Sequence, residues 1–112
     1  MDNCIFCKII NGDIPTTKVY EDDLCLAFKD IEPLAPVHFL VVPKTHITGA
    51  SQISAENEAV VGHIFSVIAN LAGQLGLDDG FRVVTNCGKN AGQTVPHLHF
   101  HVVAGRELGT FN

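Results

Sequence analysis

The chain is short of positive charge. It carries 7 Lys and Arg against 12 Asp and Glu, a formal net charge of −5 with His neutral, and its basic residues are nowhere clustered. A groove that tracks a nucleic-acid backbone needs clustered cations, so the sequence argues against a nucleic-acid polymer as partner. Long hydrophobic runs are missing too. No stretch approaches the ~18 apolar residues of a membrane span, so no membrane role is expected. The N-terminus has Asp2 and no basic segment ahead of an apolar one, so it does not read as a secretory leader, and the cytoplasm is the expected compartment. Repeats, low-complexity tracts and linkers are absent. With 112 residues, 46% hydrophobic and 17% charged, the chain is expected to form one domain, residues 1–112, with a single modest core.

What is present is concentrated near the C-terminus, in His97-Leu98-His99-Phe100-His101-Val102-Val103. Polar and apolar residues alternate there with the period of a half-buried strand. His97, His99 and His101 share one face, roughly 6.5–7 Å apart, while Leu98, Phe100 and Val102 face a core. Exposed strand faces favour Thr, Lys and Glu over repeated His, so the row points to chemistry. Imidazole serves near neutral pH as nucleophile, proton carrier or metal ligand.

The preceding segment, residues 86–96, is a Gly-rich loop. Gly88 and Gly92 allow backbone N–H groups to converge on an anion, and Asn86 and Thr94 add neutral donors. Upstream, Cys4 to Ile10 reads as a short helix, Lys18–Glu21 and Leu24–Phe28 as a hairpin turning at Asp22-Asp23, and Val37–Val42 as an apolar strand ended by Pro43. Residues 30–36 hold two prolines and cannot be regular. A long helix is expected from an N-cap at Ser54, with Val60, Ile64, Val67, Ile68, Leu71 and Leu75 as its apolar stripe and Gly76 as its stop. His63 lies off that stripe and reads as a surface residue. Phe81–Thr85 completes the strands. The fold expected is α+β: about five strands in a mostly antiparallel sheet, one long helix and a short N-terminal helix. One covering helix leaves apolar helix and edge surface over, which dimerisation would bury.

Two further sites follow from spacing. Cys4-x-x-Cys7 is half of a metal clamp, and His46 and His97 offer two nitrogens to complete a Cys₂His₂ set; the competing reading is a pair of free thiols packed as small apolar residues. Asp30 precedes the proline loop. It reads either as a loop cap or as an acceptor for ribose hydroxyls. His38, on an inner strand, reads as a hydrogen-bonded support for the histidine row.

The motif His97-x-His99-x-His101 followed by paired apolar residues resembles the signature of the histidine triad (HIT) family. The likeness is strongest to its Hint-like branch of purine nucleotide phosphoramidate hydrolases, in the bacterial zinc-containing form, and spans nearly the whole chain. The resemblance implies a HIT-like fold and a homodimer whose sheets join. It implies His99 as nucleophile, forming a covalent nucleotidyl intermediate, with His101 and Thr94 assisting the leaving group. Asn86, Gly92 and Thr94 would hold the α-phosphate. Phe28-Lys29-Asp30-Ile31 matches a family pattern whose Asp binds ribose, and Ile5, Phe6, Ile9, Phe28 and Ile31 match its purine slot. Zinc at Cys4, Cys7, His46 and His97 would be structural. The substrate class implied is an AMP- or GMP-type purine nucleoside phosphoramidate, or an aminoacyl-adenylate-like compound. Alternatives are dinucleoside polyphosphate hydrolysis, a metal-dependent hydrolase, and a weakly catalytic nucleotide-binding regulatory dimer. The tail after the triad lacks the Trp-containing loop of better-known members, and Thr94 replaces a more usual Ser.

Overall fold

The structure, a computed structural model, describes residues 3–111. A short helix α1 (Ile5–Ile10) leads into a hairpin, β1 (Lys18–Glu21) and β2 (Cys25–Lys29). Strand β3 (Val37–Pro43), the long helix α2 (Glu58–Gln74), β4 (Phe81–Val84) and β5 (Phe100–Ala104) follow. All neighbours in the sheet are antiparallel, in the order β1-β2-β3-β5-β4. The expected α+β architecture, with one long and one short helix on a five-stranded antiparallel sheet, is what is found.

The period-2 alternation of the strands sorts side chains onto two faces. Ala27, Phe39, Val41, Phe100 and Val102 meet Ile64, Val67, Ile68 and Leu71 of α2. Leu26, Phe28, Leu40 and Val42 meet Cys4 and Phe6 on the opposite face. Ile64 and Ile68 are essentially inaccessible, and each such side chain contributes about 1.5–3 kcal/mol by leaving water. The α2 layer holds the sheet; the α1 layer covers only part of the other face and leaves a groove beside it.

Asp22 ties the hairpin to α2. Its Oδ1 accepts the N–H groups of Leu24 and Cys25, at 2.8 and 2.9 Å, and its Oδ2 accepts from Tyr20 Oη at 2.9 Å. His63 Nε2 lies 2.6 Å from the same oxygen, so this half-buried His is a strut between layers and not the surface residue its spacing suggests. Burial opposes ionisation of Asp22, but His63 and the two backbone donors outweigh it and hold the carboxyl well below the usual range.

Several boundaries differ from expectation. α2 starts at Glu58, because Asn57 Oδ1 accepts the Ser54 N–H (2.8 Å) and closes residues 54–57 into a separate turn; Ser54 is therefore not the N-cap. Leu75 lies beyond the helix and is half-exposed, while the Leu77 N–H reaches back to Ala72 O to close the helix end at Gly76. The triad segment becomes strand only from Phe100. Continuing the β3–β5 register from Val41↔Phe100 brings Leu98 opposite Pro43, which has no N–H to donate. The ladder is replaced there: Leu98 N–H bonds Ile47 O at 2.6 Å, and Thr85 Oγ1 donates to His99 O at 2.7 Å. Thr85 has left β4, which ends at Val84.

Candidate functional site

The groove beside α1 is a cavity of about 680 Å³. Ile5, Phe6 and Ile9 come from α1, Phe28, Asp30 and Ile31 from the end of β2 and the loop after it, and Asn86, Gly92 and Thr94 from the Gly-rich loop, with His99 and His101 at the centre. The structure thus brings together every residue assigned from sequence to the nucleotide and its chemistry. Ile14, Pro15, Thr16, Lys29, Leu40 and Val95 complete the lining and were not foreseen as site residues. Ile14 alone carried a signal, an apolar residue ahead of proline in an extended segment.

The histidines are ordered by what each ring can donate. His99 is buried, and its Nδ1 lies 2.7 Å from His97 O. A carbonyl only accepts, so Nδ1 carries a proton, and in the neutral ring Nε2 then keeps its lone pair. Phe6 abuts the ring edge-to-face, centroids 5.0 Å apart. His101 Nδ1 sits 3.0 Å from His38 Nε2. His38 Nδ1 in turn accepts the Leu34 N–H at 3.0 Å, so the His38 proton is on Nε2 and is donated to His101. A neutral His101 then carries its own proton on Nε2. Burial pushes the His101 pKa down, with His99 and His38 adding to it and Asp30 opposing. The site therefore holds one bare imidazole nitrogen and, next to it, one imidazole N–H donor. This is the equipment for attack on an electrophilic centre and for a hydrogen bond to what leaves.

Asp30 is a loop cap that also lines the groove. Oδ1 caps the Glu32 N–H at 2.8 Å, while Oδ2 lies 3.4 Å from His38 Nε2, and the residue lines the cavity. The Gly-rich loop corrects one expectation. The Gly88 N–H bonds Gln93 Oε1 at 2.8 Å and the Gly92 N–H bonds Lys89 O at 3.0 Å, so these two amides do not converge on an anion. Both glycines have positive φ, 85° and 80°, and shape the loop around Gln93. Gln93 Nε2 also donates to Thr48 O (2.8 Å) and Val95 O (3.0 Å). An amide in a loop carries no spacing signal, and Gln93 was missed.

The second centre lies at the start of the same segment. Cys4, Cys7, His46 and His97 each offer a donor atom, all within 4.8 Å of one another, a set that can hold a metal ion. His97, fully buried, has Nε2 2.9 Å from Pro43 O, to which it donates, leaving Nδ1 bare. That Nδ1 is 3.3 Å from Cys4 Sγ, 3.6 Å from Cys7 Sγ and 3.2 Å from His46 Nδ1. Cys7 Sγ is 3.3 Å from His46 Nδ1. Burial, then the neighbouring Cys4, push the Cys7 thiol up to about 11, so ionising it near neutral pH requires a cation at hand. Cys25, buried on the α2 face and pushed up to about 12 by burial, and Cys87, in the Gly-rich loop, take no part.

An antiparallel sheet with clustered histidines and a Gly-rich loop beside a half-covered groove defines a class of small α+β proteins. Within that class the chain belongs to the HIT family: the family profile described as the HIT domain matches residues 11–108. A HIT-like protein of Synechococcus elongatus is 50% identical over 107 residues, covering 96% of this chain and 94% of its own length. A histidine triad protein from Clostridium difficile, 52% identical, superposes with a TM-score of 0.94 over 100% of this chain and 97% of its own. A HIT family hydrolase from Clostridium thermocellum, 44% identical, gives 0.95 over 99% and 97%.

Proposed function

We propose that this chain is a nucleotide hydrolase of the Hint-like branch, cleaving the P–N bond of purine nucleoside phosphoramidates or aminoacyl-adenylate-like compounds and releasing the nucleoside monophosphate. The observation that carries this reading is the His99 ring, whose Nδ1–H is held on His97 O and whose Nε2 is left bare in a residue lining the groove. The resemblance of the sequence and the hydrolase among the similar structures support it.

In the first step the His99 Nε2 lone pair attacks phosphorus. The P–N bond to the leaving amine breaks with its electron pair on nitrogen, to which His101 Nε2–H and the Thr94 hydroxyl hydrogen-bond while a water molecule supplies the proton and is left as hydroxide. In the second step that hydroxide attacks phosphorus. The P–Nε2 bond breaks and its electron pair returns to His99. Asn86 and Thr94 hold the α-phosphate, and Gly92, its amide spent on Lys89 O, shapes the loop beside them. Asp30 accepts from the ribose hydroxyls, and Ile5, Phe6, Ile9, Phe28 and Ile31 flank the purine.

Cys4, Cys7, His46 and His97 would hold zinc. With bonds of about 2.0–2.1 Å to nitrogen and 2.3 Å to sulfur, a tetrahedral site spaces its nitrogens about 3.4 Å apart and nitrogen from sulfur about 3.6 Å, close to the separations above. Four protein ligands leave no open position, so the ion supplies a crosslink that fixes α1, with its three purine-slot residues, against the His97–His99 segment. The chain is one domain, residues 1–112. It acts as a cytoplasmic homodimer: a reducing compartment keeps Cys4 and Cys7 available to metal, and half-exposed Phe65 on α2 and Phe81 on the edge strand β4 offer apolar surface to a second copy.

The test is His99→Gly or His99→Asn. AMP binding should persist and turnover of an adenosine phosphoramidate should vanish; unchanged turnover refutes the mechanism.

A further inference from the structure

Arg106 lies outside the groove, five residues beyond His101 on the same strand and tail. Its guanidinium donates twice to Leu34 O, from Nη2 at 3.0 Å and from Nε at 3.3 Å, and Nη1 donates to Glu107 O at 2.9 Å. Leu34 has a side chain largely in solvent, so what holds this residue is its main chain. Its carbonyl is clamped by Arg106 and its N–H is spent on His38 Nδ1. Gly105 makes the approach possible. Its φ is +97°, and a Cβ there would come within 2.9 Å of Pro36 Cβ, so only glycine lets the tail cross the proline loop at this height.

A closed circuit results. From His101 the chain runs along β5 to Gly105 and Arg106; Arg106 grips Leu34; Leu34 N–H fixes His38; and His38 Nε2–H returns to His101 Nδ1 at 3.0 Å. The direction of every proton in it depends on the Leu34 N–H. Were that donor to swing away, His38 could carry its proton on Nδ1 and offer Nε2 as an acceptor. His101 would then donate from Nδ1 and turn a bare Nε2 toward the leaving group, the wrong polarity for a hydrogen-bond donor to it. Asp30 Oδ2, nearer His38 Nε2 at 3.4 Å than His101 Nδ1 at 4.0 Å, also favours the shared proton on His38 and limits the effect.

We propose that Arg106 is a positioning residue. By clamping Leu34 it holds His38 in the Nε2–H tautomer and so presents His101 as a hydrogen-bond donor. The role in turnover rests on the hydrolase reading above; the tautomer does not. The experiment compares wild type, Arg106→Ala and Arg106→Lys by ¹⁵N shifts of the His38 ring, thermal unfolding, AMP affinity, and kcat and KM for an adenosine phosphoramidate. In wild type, His38 Nδ1 should show an acceptor-type shift and Nε2 a protonated one. In Arg106→Ala the two shifts should converge, and kcat should fall about three- to tenfold. AMP affinity should change less than threefold, and Arg106→Lys, retaining one donor, should recover much of the loss. His38 shifts that stay unchanged in Arg106→Ala overturn the proposal, whether or not kcat falls. A wild-type protein without turnover would sink the hydrolase reading alone, since the His38 shifts still decide the role of Arg106.

Discussion

Replacing His38 two ways separates its two bonds. Asn Oδ1 is two bonds from Cβ, as His Nδ1 is, so His38→Asn keeps an acceptor for the Leu34 N–H and loses the donor to His101. Gln reaches about as far as Nε2, so His38→Gln keeps a donor for His101 and strands the Leu34 N–H. Both wild-type bonds are 3.0 Å long and His38 is buried. A neutral hydrogen bond of this kind is worth about 0.5–1.5 kcal/mol net, and a stranded donor costs about 1–3 kcal/mol. Leu34 lies at the surface, where water can reach its N–H, so the low end applies, about 1 kcal/mol in His38→Gln. In His38→Asn the His101 ring loses the donor that sets its tautomer. One lost bond of this strength is about two- to tenfold in rate, and a His101 ring that turns its lone pair toward the leaving group loses that bond as well. The expected order of kcat is wild type, then His38→Gln, then His38→Asn, with at least about threefold between the two variants. The assay is steady-state turnover of an adenosine phosphoramidate, with urea unfolding on the same preparations. If His38→Asn turns over as fast as His38→Gln, His101 is not oriented by His38 and the relay argument fails.

Two other predictions bear on the metal centre and on pH. Purified wild type should carry about one zinc per chain by elemental analysis, and Cys7→Ser much less. A chelator should lower the melting temperature of wild type by on the order of 10 °C, as loss of a tightly bound ion worth about 4 kcal/mol would, and leave Cys7→Ser unmoved. Turnover should survive chelation while the chain stays folded; a folded, chelated and inactive enzyme would show that the ion takes part in the reaction. The His101 pKa is lowered chiefly by burial, so the unfolded chain takes up that proton first, at about pH 6.5. The stability this group contributes is therefore whole above about pH 6.5 and drains as pH falls toward the folded-state value. The urea midpoint should drop from pH 7 to pH 5, less steeply in His101→Gln, and a midpoint that rises over that range contradicts the assignment.

Much of this protein was legible in one dimension because its signals are local. The alternation around Phe100 and Val102, the helical recurrence of Ile64, Val67, Ile68 and Leu71, and the donor-poor prolines of residues 30–36 each follow from the geometry of a few consecutive residues. The histidine row, the Cys4–Cys7 spacing and the Asp30 motif pointed for the same reason to residues that the fold gathers in one groove and one four-donor cluster. Tertiary structure decided what depends on partners distant in sequence. Pro43, by its missing N–H, stops β5 at Phe100. Asp22, across the layers, turns His63 from a surface residue into a strut. Gln93 consumes an amide that the glycines seemed to offer an anion, and Arg106, through a single carbonyl, reaches the tautomer of His38. Residue types and local periods state which groups are available. A hydrogen bond is short-ranged and directional, so which proton each imidazole holds is determined only when chains that begin far apart come within 3 Å.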